Sequence, residues 1–460
     1  MDLFFCNFVV NNKVNVLESK MKCLPILYIP VKTGYLLHLQ SIKIVLFLVC
    51  QVILSVVLSS CKEEPEPDPI APDHFENVVL VYSAGANNLY SNLVADKAEM
   101  LKGLEQTDPM KSRLMLYESS PDNSVYGRSA ALYEAVKDYK AGNFYFRLIK
   151  NYPNDVFTTD PIRLKEVIED VRKIRKADRY GLVMWSHGGG WDPAFSDHQI
   201  SVGSKIPATP GVAPDPGMSY WWGVDETGDK SDKMDIDELA TAIPDGSFEF
   251  IWFDCCYMGS VEVAYQLRRK SRYFVGYPTE VYTPGLDYTA AIPFLLKSEP
   301  DLKGAAKSLY DYYTYVWSTG AAVTVGVFDL TKFDAVVEIV RKAYANYSVP
   351  SLQGLIVYSR SGISKLYDLR QTVTRVAEET GISLSDDEVN SVFDAFTVCK
   401  YASERNFAGQ PIHSEIYSGL STHIHTPGVE TDAERFYRSL DWYDAVFPQG
   451  VNEKCSLTRN

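Results

Sequence analysis

Cysteine and positive charge are both scarce in this sequence, and each shortage excludes a class of protein. The 460 residues contain 8 cysteines, with no Cys-x-x-Cys pair and no histidine-rich run, so neither a disulfide scaffold nor a zinc site of ordinary spacing is expected. Acidic residues outnumber basic ones by 59 to 45, and the net charge of −14 argues against nucleic acid as a partner. The sequence also lacks internal repeats and a Gly-x-Ser-x-Gly nucleophile motif, which argues against a repeat protein and an α/β-hydrolase.

The first 60 residues are predicted to be a leader that is not part of the fold. Ile44 to Leu58 is an uninterrupted apolar run of signal-peptide length, and it is short for a membrane span. The following Leu58-Ser59-Ser60-Cys61 resembles a bacterial lipobox, and this resemblance implies that Cys61 carries lipid after cleavage. The alternative is an uncleaved anchor helix.

Residues 61–76 are predicted to form a tether between the lipid and the fold. The run from Lys62 to Pro69 is acidic and rich in proline, a composition that favours an extended, unpacked chain. An acidic run directly after a lipidated cysteine resembles the surface-export signal of some Gram-negative lipoproteins. The resemblance implies a bacterial outer-membrane lipoprotein exposed at the cell surface, and the alternative is a plain linker.

From residue 77 the apolar pattern alternates between strand and helix, which predicts an α/β fold with a parallel-rich sheet flanked by helices. Strands are predicted at Asn77–Ser83, Arg113–Glu118, Phe144–Ile149, Arg179–Ser186, Phe248–Asp254, Tyr273–Tyr277 and Ala322–Phe328. Helices are predicted at Asn88–Leu104, Ser129–Tyr139, Pro161–Lys176, Leu302–Trp317 and Thr331–Tyr347. We expect a main domain over residues 77–349 and a smaller C-terminal region of mixed structure over residues 350–460.

Two of the predicted strands end in side chains suited to nucleophilic catalysis. Phe248–Asp254 is followed by Cys255 and Cys256 and then by apolar residues at helical spacing, so a thiol would lie in a strand-to-helix turn where the helix dipole favours thiolate. Arg179–Ser186 is followed by His187 and three glycines, whose N–H groups can approach a substrate oxygen. The plainer interpretations are two small buried cysteines and a core histidine.

The two strand ends together resemble the motifs of the clostripain family of cysteine peptidases, in the clan that also holds caspases, gingipains and legumains. The matching motifs are Ser186-His187-Gly188 and Asp254-Cys255-Cys256. Asn77 to Leu89 resembles the opening strand of the family with its Asn-Asn-Leu turn, and Trp222 to Asp225 resembles a later motif. The resemblance implies a caspase-like fold and a monomeric endopeptidase that acts on protein or peptide substrates without a required cofactor.

The resemblance also implies roles for single residues. Cys256 would be the nucleophile and His187 its proton carrier, with the backbone N–H groups of Gly188 and Cys256 stabilising the oxyanion. Asp254 would face the pocket for the residue before the scissile bond and select Arg or Lys; the alternative is a strand-end carboxylate bonded to local amides. Glu280 opens a segment that resembles the specificity wall of the family.

The resemblance raises two further possibilities, calcium binding and self-cleavage, for the residues between His187 and Cys256. Some members of the family bind calcium, and the acidic run Asp225 to Glu238 is a candidate site, although it lacks the Gly and Glu positions of an EF-hand loop. The alternative for this run is a solvated loop. Relatives can also be cut between their His and Cys strands, which predicts self-cleavage after Lys205, Lys230 or Lys233.

Two other classes of function stay open at this point. The His-Gly-Gly-Gly run also resembles the oxyanion loop of lipases and esterases, although the nucleophile elbow of that fold is missing. The second alternative is a surface lipoprotein that binds protein or glycan on a peptidase scaffold without cleaving it. The intact pair of His187 and Cys256 argues against this alternative.

Overall fold

The computed structural model describes residues 72–122, 127–191, 221–227, 230–317, 321–359, 366–406 and 409–448. The predicted leader, Cys61, most of the tether and Lys205 lie outside these residues. Within the described ranges no helix combines the length and apolar character that crossing a bilayer would need.

Strands and helices are interspersed along the first half of the chain, but residues 112–152 form three strands in succession. The strands are β1 (His74–Ala84), β2 (Ser112–Pro121), β3 (Arg128–Lys137), β4 (Phe144–Tyr152), β5 (Lys176–Trp185), β6 (Trp222–Thr227), β7 (Lys230–Met234), β8 (Phe248–Asp254), β9 (Ser271–Gly276), β10 (Thr324–Asp329), β11 (Tyr367–Asp368), β12 (Thr397–Ala402) and β13 (Ser421–Thr422). The α-helices are α1 (Tyr90–Leu104), α2 (Pro161–Ile174), α3 (Ile236–Ala242), α4 (Val261–Gln266), α5 (Tyr288–Leu295), α6 (Leu302–Asp311), α7 (Phe333–Ala343), α8 (Leu369–Thr380), α9 (Asp386–Phe396), α10 (Asp432–Tyr437) and α11 (Asp441–Val446). A π-helix (Tyr312–Trp317) extends α6, and a 3₁₀ turn (Leu330–Lys332) precedes α7.

A single nine-stranded sheet forms the centre of the fold, with the strand order β12-β10-β9-β8-β5-β1-β2-β3-β4. Its five middle strands, from β9 to β2, run parallel to one another. The strands at both edges are antiparallel. The predicted α/β class with a parallel-rich sheet flanked by helices is therefore confirmed.

Both faces of the sheet are buried, as is usual for parallel strands. In β1, Val79 and Val81 pack on one face with α1, α5 and α6, while Val78 and Leu80 pack on the other face with the remaining large helices. The middle strands are therefore apolar along their centres, and most of their polar residues lie toward the strand ends.

The prediction of a helix at Ser129–Tyr139 is wrong, because these residues form β3. Ala, Leu and Glu favour a helix locally, but pairing with both β2 and β4 overrides that preference. Glu134 on β3 is fully buried and accepts hydrogen bonds from Arg147 and Arg175, with Arg113 at 3.3 Å. Although burial alone would raise the pKa of Glu134, these arginines hold it below its usual value.

The C-terminal region is built into the same sheet and core as the rest of the fold. Strand β12 forms an edge of the nine-stranded sheet by pairing with β10, and α8 to α11 pack into the core on one face. The short strand β13 pairs with β11 and also bridges to Ser260, at the start of α4. Residues 366–448 therefore support the segment that follows the paired cysteines.

Candidate active site

Strands β5 and β8 are parallel neighbours, and their register brings the two predicted motifs together. Trp185 on β5 pairs with Asp254 on β8. His187 lies two residues after Trp185, and Cys256 lies two residues after Asp254. A Cβ atom built on Gly188 would lie 2.6 Å from the carbonyl oxygen of Cys256 and 2.9 Å from the sulfur of Cys255. The two strand-end turns therefore touch, and only glycine at position 188 permits the contact.

The turn after β8 separates the two cysteines into different environments. Cys255 is 2% exposed, whereas Cys256 is only partly buried. Tyr257 has a φ of 61°, which is unusual for a residue with a side chain, and its N–H donates to the carbonyl oxygen of Thr279 at 3.0 Å. This strained turn reverses the chain directly after Cys256 and is held in place by the segment that follows β9.

The thiol of Cys256 lies against the backbone of Val281. The Val281 N–H donates to the Cys256 sulfur at 3.4 Å. The helix α4 begins at Val261, so Cys256 precedes its first turn, and stabilisation of the thiolate by the helix dipole stays a prediction. Burial raises the pKa of the Cys255 thiol well above its usual value, so Cys255 is suited to packing.

The imidazole of His187 is half-buried and is held by a side chain from another loop. Its Nε2 lies 2.7 Å from Oδ1 of Asn88, in the turn between β1 and α1. Burial, and to a lesser degree the positive charge of Lys233, lowers the pKa of His187 to about 4. His187 is therefore uncharged near pH 7, and its imidazole can accept a proton.

The hairpin of β6 and β7 covers the glycines that follow His187. Gly188 is bridged to Trp222, and the hydrogen bonds of this bridge come from the N–H groups of Gly189 and Gly223. The bridge itself therefore does not use the N–H group of Gly188. An oxyanion site formed by the N–H groups of Gly188 and Cys256 is compatible with this pattern and stays a prediction.

Asp254 lies at the base of the cysteine turn and is 4% exposed. Its carboxylate accepts hydrogen bonds from the hydroxyl groups of Tyr288 at 2.9 Å and Tyr277 at 3.2 Å, and from the N–H of Leu286. Burial raises the pKa of Asp254 to about 6, against the opposing effect of these bonds. Asp254 therefore bonds to local groups, as the structural alternative predicts, and these bonds fix its carboxylate close to the turn that holds the two cysteines.

A second carboxylate lies behind Asp254. Asp96 on α1 is 2% exposed and accepts a hydrogen bond from the indole of Trp185 at 2.8 Å. Burial raises the pKa of Asp96 to about 9, and the charge of Asp254 acts in the same direction. At neutral pH the pair therefore holds one negative charge, on Asp254.

The segment that resembles a specificity wall does line this site. Gly285 has a φ of +60°, and a Cβ built on it would lie 2.9 Å from the carboxylate of Asp254. Glu280 immediately precedes Val281 and is 4% exposed. The structure thus brings Glu280 next to the segment that contacts Cys256, while its role in substrate binding stays a prediction.

The acidic run after the glycines makes protein contacts. Asp225 is fully buried and accepts a hydrogen bond from the N–H of Thr158, and Asp232 accepts one from the hydroxyl of Thr159. Among the residues that the structure describes, no group of three or more His, Cys, Asp or Glu side chains is arranged as metal ligands. Calcium binding to this run stays a prediction.

The candidate cleavage position at Lys233 lies in a β-hairpin. Lys233 lies in the paired strand β7, with its ammonium 4.0 Å from the ring centre of Trp221. Burial lowers the pKa of Lys233 to about 8. This location disfavours cleavage after Lys233.

Several residues of the site were not assigned a role from the sequence. Asn88 belongs to the Asn-Asn-Leu turn, so its motif was visible but its contact with His187 was not. Val281 contributes only its backbone to Cys256, and Asp96 is a polar residue on the buried face of α1. An acidic residue on an otherwise apolar helix face is the one local signal that could have indicated Asp96.

Comparison with known proteins agrees with this arrangement. A model described as the clostripain family matches residues 81–372, which is more than half of the chain. Clostripain from Hathewaya histolytica is 27% identical over 234 residues, which make up 46% of this chain and 40% of that protein. The chain thus matches less than half the length of this curated relative.

Solved structures with the same fold match over most of their length. A secreted cysteine protease from Bacteroides thetaiotaomicron, in complex with an irreversible peptide inhibitor, is similar with a TM-score of 0.65 and 26% identity, covering 80% of this chain and 98% of that one. An inactive zymogen from Parabacteroides distasonis shares the fold with a TM-score of 0.63 and 23% identity, covering 82% and 99%.

The contact between Asn88 and His187 leads to a kinetic prediction. Asn88→Ala should lower kcat for peptide cleavage by roughly 10-fold or more, because the imidazole loses the group that fixes its ring, while KM and the melting temperature change little. Asn87→Ala is the matched control. Asn87 is buried and donates to the carbonyl oxygens of Ala84 and Val224, so its removal should lower the melting temperature. An unchanged kcat in Asn88→Ala would show that the contact does not position His187.

Proposed function

Because the chain belongs to the clostripain family of cysteine peptidases, we propose that it is a cysteine endopeptidase that uses His187 and Cys256 as a catalytic dyad. The observation that carries the proposal is the register of β5 and β8, which sets the His187 turn against the Cys256 turn. The partly exposed sulfur of Cys256 supports the assignment of this cysteine as nucleophile.

Proton movement in the proposed reaction follows from the charge state of the site. Neutral His187 accepts the proton of the Cys256 thiol, and the thiolate attacks the peptide carbonyl carbon. The resulting imidazolium gives its proton to the leaving amine as the C–N bond breaks. Water then attacks the thioester, with His187 as its base, and the free thiol is restored. Both reacting groups are side chains of this chain, so the reaction needs no cofactor.

The proposed preference for Arg or Lys before the scissile bond rests on Asp254. Its single negative charge lies beneath the nucleophile turn, in surroundings of low polarity where an ion pair is strong. Tyr277, Tyr288 and Leu286 fix the orientation of the carboxylate. A guanidinium or ammonium group that reaches Asp254 would compensate a charge that burial disfavours.

The proposed location is the outer membrane of a bacterium, with the peptidase exposed at the cell surface. The lipobox-like Leu58-Ser59-Ser60-Cys61 and the acidic tether support this proposal. The tether would hold the site away from the lipid surface, where protein substrates have access.

The two adjacent cysteines should respond differently to the same substitution. Cys256→Ala should abolish peptide cleavage with little change in the melting temperature, because it removes the nucleophile from a partly exposed position. Cys255→Ala should keep most of the activity, because Ala fits the buried site. Iodoacetamide labelling followed by peptide mapping should modify Cys256 first. Activity that survives Cys256→Ala but is lost in Cys255→Ala would show that the nucleophile is Cys255.

The titration of Asp254 predicts a pH-dependent specificity. The ratio of kcat/KM for a peptide with Arg to that for the same peptide with citrulline should fall as the pH drops from 7.5 to 5, since the carboxylate becomes protonated near pH 6. Asp254→Asn should lower the ratio at pH 7.5 by roughly 10- to 100-fold, as expected for a lost contact between charged groups. It should also abolish the pH dependence. The same ratio in both proteins at every pH would reject Asp254 as the specificity residue.

Lipid attachment can be tested independently of activity. Cys61→Ala should prevent acylation and move the protein from the membrane fraction to the soluble fraction, while the rate of peptide cleavage stays unchanged. Mass spectrometry of the N-terminal peptide of the wild type should detect an acylated Cys61. A wild-type protein without an acyl chain at Cys61 would exclude the lipoprotein proposal, and protease shaving of whole cells tests surface exposure.

A further inference from the structure

An aromatic surface begins one residue from the contact with the nucleophile. Val281 contacts the Cys256 sulfur through both its N–H and its carbonyl oxygen, and the next residue is Tyr282. The ring of Tyr282 lies 4.5 Å from that of Trp317 and 5.6 Å from that of Tyr313, measured between centroids. Tyr313 is buried, whereas Tyr282 and Trp317 are partly exposed, and we call these two residues the aromatic wall.

The aromatic wall is only partly covered by the protein. Trp317 is 41% exposed, and its neighbours Tyr315 and Val316 are 75% and 74% exposed. These residues lie on the π-helix, a rare geometry that is frequent at functional sites. Trp317 is thus presented to solvent together with two other large side chains, and its stacking partner Tyr282 directly follows Val281, which contacts Cys256.

The same π-helix also supports the pocket of Asp254. The hydroxyl of Tyr313 donates to the carbonyl oxygen of Gly285 at 2.8 Å, and Gly285 packs against the Asp254 carboxylate. The wall residue Tyr282 lies in sequence between Val281, on the nucleophile, and Gly285, on the acidic pocket. One short segment, residues 281–285, therefore links the aromatic wall to the contacts with Cys256 and with Asp254.

We propose that Tyr282 and Trp317 form a subsite for an apolar substrate side chain, at the position immediately before the basic residue. This inference rests on the proposed peptidase function and adds a second determinant of specificity to it. In this proposal, a peptide that holds its basic side chain at Asp254 and its carbonyl carbon at Cys256 places its preceding residue next to Tyr282, which follows the contact of Val281 with Cys256. An apolar side chain there would cover exposed ring surface, whereas a carboxylate would lose hydration without gaining a partner.

The test compares peptides that share Arg before an aminocoumarin leaving group and differ only in the preceding residue. Wild type should cleave the Phe-Arg and Leu-Arg peptides roughly 10-fold more efficiently in kcat/KM than the Asp-Arg peptide. Trp317→Ala should remove most of this advantage, so that the Phe-Arg and Leu-Arg peptides are cleaved within about twofold of the Asp-Arg peptide. Trp317→Phe should restore most of the preference, because it restores an aromatic face.

A matched control and a binding measurement separate the possible failures. Leu148→Ala removes a side chain of similar exposure, 50%, from the edge strand β4, and should leave the preference unchanged. Binding of the same peptides to Cys256→Ala, measured by fluorescence anisotropy, does not require cleavage. Equal binding of the Phe-Arg and Asp-Arg peptides would overturn the aromatic subsite. If wild type cleaves none of the peptides while Cys256→Ala still binds Phe-Arg more tightly, the proposed peptidase reaction fails and the subsite stands.

Discussion

The parallel pairing of β5 with β8 is the constraint on which the rest of the site depends. Because Trp185 is opposite Asp254, the turn that follows β5 lies next to the turn that follows β8. A slip of one residue would turn every side chain of β8 to the opposite face and would change which of the two cysteines is buried. Side chains on both faces of these strands pack against helices, so a slip would disrupt close packing on both sides of the sheet.

A strained residue and two buried carboxylates lie close to the point where the two strands end. The positive φ of Tyr257 and the buried carboxylates of Asp254 and Asp96 each reduce stability, and the surrounding fold compensates them with hydrogen bonds and close packing. Such costs are typical of sites that orient reacting groups in advance. The aromatic wall continues the same site outward, because Tyr282 and Gly285 belong to one segment that contacts both the nucleophile and the acidic pocket.

Much of the central sheet could be predicted from apolar runs and the polar residues that end them. The strand at Phe248–Asp254 was predicted with its observed bounds, because a fully buried strand is apolar along its whole length. The edge of the sheet was less predictable. Residues 128–137 have the composition of a helix, and their strand conformation depends on pairing with β2 and β4 and on arginines far away in sequence that surround Glu134.

The sequence by itself determined which chemical groups the site contains, because His187, Cys256 and Asp254 directly follow or end strands and their motifs are local. Tertiary structure alone decided how these groups are held. Asn88 reaches His187 across 99 residues, and Val281 reaches Cys256 through its backbone, which no side-chain pattern can indicate. The stacking of Tyr282 on Trp317 depends likewise on how the chain packs after β9. Short-range patterns encode strands and the residues at their ends, whereas contacts between distant loops arise only when the sheet has brought those loops together.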